Sequence, residues 1–125
     1  MSRQNHLILI LFCSSLLLGG MQTRAEDHVK YAQAQVASVT ITTPENGAKL
    51  NTDNPITLSY TVTPGPVGDH VHVYVDGSEV GILRQLQGNF IIDPLPRGRH
   101  VLAIKIVNKD HVPIGVESSI SIDVE

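Results

Sequence analysis

An alternation of apolar and polar residues with a period of two runs through most of residues 38–124. It is clearest at residues 56–62 and 116–124, where isoleucine, leucine, tyrosine and valine alternate with threonine, serine and acidic residues. This period is typical of β-strands that bury one face and expose the other. Turn signals such as Asp76-Gly77 separate the segments, and no helical period interrupts them. The pattern predicts an all-β fold of about seven strands.

About seven strands in roughly 100 residues, with turn signals every 8–12 residues, are typical of a two-sheet Greek-key β-sandwich. We place this domain at residues 38–125. Residues 26–37 are polar and rich in alanine and glutamine, so we expect a flexible lead-in there. The length leaves room for one domain and excludes a multidomain enzyme.

The amino terminus has the three parts of a secretory signal peptide, at residues 1–25. A short polar segment precedes the apolar run from Leu7 to Leu18, and Thr23-Arg24-Ala25 supplies small residues before a cut at Glu26. The apolar run is shorter than the roughly 20 residues that a membrane span needs. No second apolar stretch follows. We therefore expect a periplasmic or secreted protein with no membrane span after cleavage.

Cleavage at that point changes the charge and the sulfur content of the chain. Loss of Arg3 and Arg24 leaves 7 basic against 12 acidic residues, an acidic balance that argues against nucleic acid or an anionic membrane as partner. Cys13, Met1 and Met21 all precede the cut. The exported domain then has no disulfide and no sulfur ligand for a metal.

Two segments carry a resemblance to a known family. The sequence Val-Tyr-Val-Asp-Gly at residues 73–77, followed by the spacing of Phe90, Leu95, Gly98 and His100, resembles bacterial immunoglobulin-like domains of exported proteins. The likeness covers residues 39–124. It implies an Ig-like (fibronectin-III-like) Greek-key sandwich, and it extends to small periplasmic Ig-like families that carry histidines and have no assigned function.

Histidines form the most distinctive chemical pattern. His70 and His72 are two apart on one strand, so both project from the same face, which we expect to be solvent-exposed. In a seven-strand sandwich the third strand pairs with the sixth and the sixth with the seventh. The loop that holds Asp110 and His111 then lies near the start of the third strand. We predict that His70, His72, His111 and Asp110 bind a divalent ion, either Cu(II) or Zn(II), with affinity falling below about pH 6 because protons compete for imidazole.

Other interpretations of these histidines stay open at this point. His70 and His72 are equally consistent with two exposed polar residues on an ordinary strand, or with direct contact to a protein or glycan partner. His100 starts the sixth strand at the opposite end of the sandwich. It occupies the place where related sandwiches put a corner tyrosine that bonds to upstream backbone, so we assign it a structural role.

The alternative to a metal site is an interaction surface. Tyr74, Val101, Ala103 and Val107 are predicted to form a partly apolar, exposed strip that contacts an envelope protein. Catalytic motifs are lacking: no serine lies in a nucleophile-elbow context, and the chain has neither a glycine-rich phosphate loop nor a HExxH sequence. The sequence therefore predicts an exported, non-catalytic binding module for a divalent metal ion, with protein interaction or adhesion without a metal as the alternative.

Overall fold

The computed structural model describes residues 35–125. The signal peptide predicted at residues 1–25, and residues 26–34 of the predicted lead-in, lie outside the described residues. Residues 35–37 precede the first strand without regular structure. Within the described range, no helix has the length and hydropathy required to cross a membrane.

Eight strands follow along the chain. They are β1 (Ser38–Thr43), β2 (Lys49–Leu50), β3 (Ile56–Thr63), β4 (His70–Val75), β5 (Ser78–Leu83), β6 (Gln87–Ile92), β7 (Gly98–Val107) and β8 (Pro113–Val124). The strand missing from the sequence prediction is β2, which is too short to show an alternation and exists only through its parallel pairing with the end of β8.

The strands form two sheets, one of three strands in the order β1-β3-β6 and one of five in the order β2-β8-β7-β4-β5. All pairs except β2–β8 are antiparallel. This arrangement confirms the predicted all-β, Ig-like sandwich.

The core lies between the sheets and is built from the apolar half of each alternation. The buried side chains of this cluster are Ile56, Leu58, Tyr60, Val62, Val71, Val73, Val75, Ile92, Leu102, Ile104, Ile106, Ile120, Ile122 and Val124. Because these residues are almost all aliphatic, burial of apolar area rather than polar contacts holds the two sheets together.

Strand register brings distant parts of the chain to one end of the larger sheet. β4 pairs with β7, and β7 pairs with β8, as the topology argument requires. His70 at the start of β4 is opposite Val107 at the end of β7. The β7–β8 loop, residues 108–112, therefore begins directly beside His70.

Candidate metal centre

Three imidazole nitrogens converge where the β7–β8 loop meets β4. His70 Nε2 lies 3.1 Å from His72 Nε2, and His111 Nδ1 lies 3.3 Å from the first and 3.0 Å from the second. These three atoms form a nearly equilateral triangle. Among residues 35–125, His70, His72 and His111 make up the one group of histidine, cysteine or acidic side chains arranged closely enough to share an ion.

The environment of His70 and His72 differs from the prediction of a solvent-exposed face. Their exposed fractions are 2 % and 4 %, so both side chains are buried. They do project from the outer face of the larger sheet, but β4 has a neighbouring strand on each side, and His111 from the β7–β8 loop packs against both rings. His111 itself is exposed and forms the solvent side of the cluster.

Carboxylates fix the orientation of the two buried rings. Asp69 Oδ2 lies 2.8 Å from His70 Nδ1, and Glu79 Oε2 lies 2.8 Å from His72 Nδ1. Because an ionised carboxylate only accepts hydrogen bonds, Nδ1 is the donor in each pair. In the neutral form of each ring, Nε2 then carries a lone pair, and the two lone pairs face the same point. Two such nitrogens 3.1 Å apart are stabilised by a proton or a metal cation between them.

Glu79 was not among the predicted site residues. The Asp76-Gly77 turn pairs Val75 with Ser78 and Tyr74 with Glu79, so Glu79 lies on the same face as His72, one diagonal step away. Diagonal neighbours on a sheet are within reach of long side chains. The two-residue hairpin visible in the sequence was therefore the signal that could have identified Glu79.

The conformation of the β7–β8 loop positions His111. Asn108 Oδ1 accepts hydrogen bonds from the backbone N–H groups of Asp110 and Val112, at 2.9 and 3.0 Å. The N–H of His111 donates to the Asn108 carbonyl. His111 adopts a left-handed backbone conformation with φ of 63°, which is uncommon for a residue other than glycine. Such strained positions concentrate at functional sites.

Asp110, the fourth predicted ligand, is not brought into the cluster. It is exposed, and it is absent from the group formed by the three histidines. The asparagine-centred turn uses its backbone N–H. The adjacent His111 side chain meets the cluster instead.

The predicted apolar strip is smaller than the sequence suggested. Val107 is fully buried and lies opposite His70, at the end of the sheet that the β7–β8 loop covers. Val101 is exposed, whereas Ala103 and Tyr74 are half-buried. The ammonium of Lys105 lies 4.7 Å from the centre of the Tyr74 ring and covers part of its face.

His100 lies at the other end of β7 and belongs to a separate network. Its Nδ1 is 2.6 Å from Asp76 Oδ2, and its Nε2 is 2.7 Å from the Pro96 carbonyl oxygen. Both partners accept, so the ring donates from both nitrogens and is favoured in its charged form. The Asp76 carboxylate raises the pKa of His100, with a further contribution from the Pro96 carbonyl. The same hydrogen bond lowers the pKa of Asp76, helped by the Val101 N–H.

This pair should make folding stability depend on pH. The raised pKa of His100 means that its contribution is complete below the ordinary imidazole value of 6.5 and is lost as pH rises through the folded-state value. The lowered pKa of Asp76 means that its contribution is complete above 3.8 and is lost as pH falls through its own folded-state value. The free energy of unfolding of the wild type minus that of His100→Gln, from urea denaturation, should peak near pH 5 and decline at pH 3 and pH 9. A difference that is constant with pH would contradict this account.

Comparison with known proteins gives a family match and several structural likenesses. A sequence profile of the family described as bacterial Ig domain matches residues 38–104, more than half of the chain. No curated protein matches the sequence.

Several solved structures share the fold at low sequence identity. The fibronectin(III)-like modules of Clostridium thermocellum CbhA are 18% identical, with a TM-score of 0.59, and the match covers 70% of this chain and 95% of theirs. The CARDB domain of the Pyrococcus furiosus PF1109 protein, solved in complex with di-metal ions, is 13% identical with a TM-score of 0.54 and covers 74% and 90%. The extracellular domain of BT4673 from B. thetaiotaomicron is 15% identical with a TM-score of 0.56, but this chain spans only 16% of it. At these identities the likeness concerns the fold alone.

Proposed function

This chain belongs to the bacterial Ig domain family, and we propose that it is an exported, non-catalytic binding module that holds one divalent transition-metal ion through His70, His72 and His111. The export step rests on the signal peptide predicted at residues 1–25. The Ig-like sandwich supplies a rigid support, and the ion is bound on the outer face of its larger sheet.

The observation that carries this proposal is the convergence of three imidazole nitrogens separated by 3.0–3.3 Å. Zinc–imidazole bonds are about 2.0–2.1 Å long, which puts tetrahedral ligand nitrogens about 3.3–3.4 Å apart. The observed triangle is within a few tenths of an ångström of that value. An ion bound to all three corners of this triangle would also remove the repulsion between the facing lone pairs of neutral rings.

Hydrogen bonding around the site supports the same function. Histidine ligands of metals nearly always donate their other ring nitrogen to a carboxylate or carbonyl, which fixes the tautomer and raises ligand basicity. Asp69 and Glu79 supply such partners to His70 and His72. Two exposed polar residues on an ordinary strand, the simplest alternative, would not require buried rings with oriented carboxylates.

The donor set, three imidazole nitrogens without sulfur, suits borderline divalent ions such as Zn(II) and Cu(II). Imidazole suits both ions, and the three histidines form no pair of ligands on opposite sides of a central ion, as square-planar Cu(II) prefers. A nearly equilateral triangle instead matches one face of a tetrahedron. The geometry therefore favours Zn(II), although Cu(II) binds most nitrogen sites more tightly.

Protein interaction through the outer face is the alternative function, and it has less support. Because Val107 is buried and Lys105 covers part of Tyr74, Val101, at 39% exposed, is the one exposed apolar residue of the four predicted. Single exposed apolar residues are ordinary features of protein surfaces.

Calorimetric titration of the purified protein with Zn(II) at pH 7.5 tests the proposed function. We expect one ion per chain, with affinity that falls below about pH 6 because ligating imidazoles must be neutral. Absence of stoichiometric binding with both Zn(II) and Cu(II) would refute the metal-binding function.

A variant at Glu79 tests the role of the surrounding carboxylates. Glu79→Ala should weaken Zn(II) binding by about 10–100-fold, the usual cost of losing the hydrogen-bond partner of a metal-ligating histidine. Glu117→Ala is the matched control, because Glu117 also lies on the larger sheet but pairs with Lys105 rather than with a histidine. Equal affinities for the two variants, measured by competition with a chromophoric chelator, would argue against Glu79 as a positioning residue.

A further inference from the structure

We propose that the bound ion keeps one coordination position open and that a small monodentate anion from solution occupies it. This inference rests on the proposed function, since it concerns the fourth ligand of the same ion. The anion would be a second binding partner of the site. An ion that binds a solute differs in this way from a purely structural ion, whose coordination shell is closed by the protein.

The number of protein ligands is the first observation that supports an open coordination position. Structural zinc sites are closed by four protein ligands, whereas sites with three protein ligands take water or another small molecule in the fourth position. Within the part of the chain that the structure describes, no fourth histidine, cysteine or acidic side chain joins the three histidines. Asp69 and Glu79 are engaged at Nδ1, on the side of each ring away from the ligating Nε2.

The triangle formed by the three histidine nitrogens is the second observation that supports an open position. With metal–nitrogen bonds of about 2.05 Å, nitrogen separations of 3.0–3.3 Å correspond to angles at the ion between about 94° and about 107°. Three such angles sum to well under 360°, so all three nitrogens would approach a shared ion from one side. One hemisphere of its coordination shell is then unoccupied by these ligands.

The charge of the ion and the access of solvent to the cluster both favour an anion as the additional ligand. Imidazole is neutral when it binds a metal, so the three ligands would cancel none of the charge of the ion. The Asp69 and Glu79 carboxylates lie one ring away and would offset part of that charge from outside the coordination shell. His70 and His72 are buried, but His111 is exposed, so one side of the cluster meets solvent.

Cobalt substitution tests the inference, because the visible bands of protein-bound Co(II) change with its coordination. The purified protein is loaded with one equivalent of Co(II) and titrated with sodium azide at constant ionic strength. We expect a saturable change in the bands that fits one azide per Co(II). Bound Co(II) with a spectrum unchanged by excess azide would overturn the open position while leaving metal binding intact. Failure of Co(II) to bind would overturn the open tetrahedral site, and failure of Zn(II) and Cu(II) to bind as well would overturn the proposed function.

Asp110→Asn is the matched control that tests whether the protein itself supplies a fourth ligand. If the Asp110 carboxylate closed the coordination shell, the wild type would resist azide and the variant would respond. We expect the two proteins to bind azide with affinities within about twofold, because Asp110 stands outside the cluster. A response confined to the variant would overturn the inference.

Discussion

Replacing His72 with alanine should lower the affinity for Zn(II) by more than about 100-fold. Loss of a partner in the surrounding shell already costs about 10–100-fold, and His72 is a direct ligand. It is also the ring closest to both other nitrogens, at 3.1 Å from His70 and 3.0 Å from His111. The remaining pair is the most widely spaced in the triangle, at 3.3 Å. Calorimetric titration of both proteins under the same conditions measures the difference.

Two further variants distinguish the loss of a metal ligand from the loss of folding. His111→Ala removes the exposed ligand and leaves both buried rings with their carboxylate partners, and we expect a comparable loss of affinity. His100→Gln removes a histidine at the opposite end of β7 and should bind Zn(II) like the wild type. Equal binding by the wild type, His72→Ala and His111→Ala would exclude the three-histidine site.

Stability supplies a second readout of the same interaction. A ligand that binds only the folded state adds about 2.7 kcal/mol to the free energy of unfolding when its free concentration is 100 times its dissociation constant. Zn(II) should therefore raise the unfolding temperature of the wild type and of His100→Gln. It should leave that of His72→Ala nearly unchanged.

Leu102→Ala should destabilise the fold by about 2–5 kcal/mol, a loss among the largest for single changes in the core. Leu102 is fully buried on β7, with neighbouring strands on both sides and the smaller sheet across the core. Its truncation removes apolar contacts and leaves a cavity that the surrounding strands only partly fill. A loss of this size is a large share of the 5–15 kcal/mol that holds a typical domain folded. Urea denaturation with a chelator present measures it without a contribution from metal.

Ile91→Ala is the control for this prediction. Ile91 lies on β6 in the smaller sheet and is 56% exposed, so the same kind of truncation should cost under about 1 kcal/mol. Similar losses for Leu102→Ala and Ile91→Ala would contradict the assignment of the core to the space between the sheets.

The fold could be predicted from the sequence because it depends on a repeated local pattern. Residues 56–62 show their buried and exposed faces directly in their alternation, and the Asp76-Gly77 turn forms the expected hairpin with positive φ at both residues. Topology rules then bring the β7–β8 loop to the start of β4 without any knowledge of side chains. The neighbourhood of His70, His72 and His111 followed from this step alone.

Burial and fine register could not be predicted in the same way. The outer face of β4 was expected to be exposed, because alternation indicates which residues share a face but not what covers that face. Val107 is buried beside His70 at the point where the β7–β8 register shifts, and no local sequence signal marks that shift. The choice of His111 over Asp110 depends on the turn around Asn108, where a one-residue difference decides which side chain meets the cluster.

The most direct test of the central claim is an anomalous difference map at the zinc absorption edge from crystals of the zinc-loaded protein. We predict one strong peak about 2.0–2.1 Å from each of His70 Nε2, His72 Nε2 and His111 Nδ1. A peak at other residues, or no peak at this cluster in crystals grown with one equivalent of Zn(II), would contradict the three-histidine site.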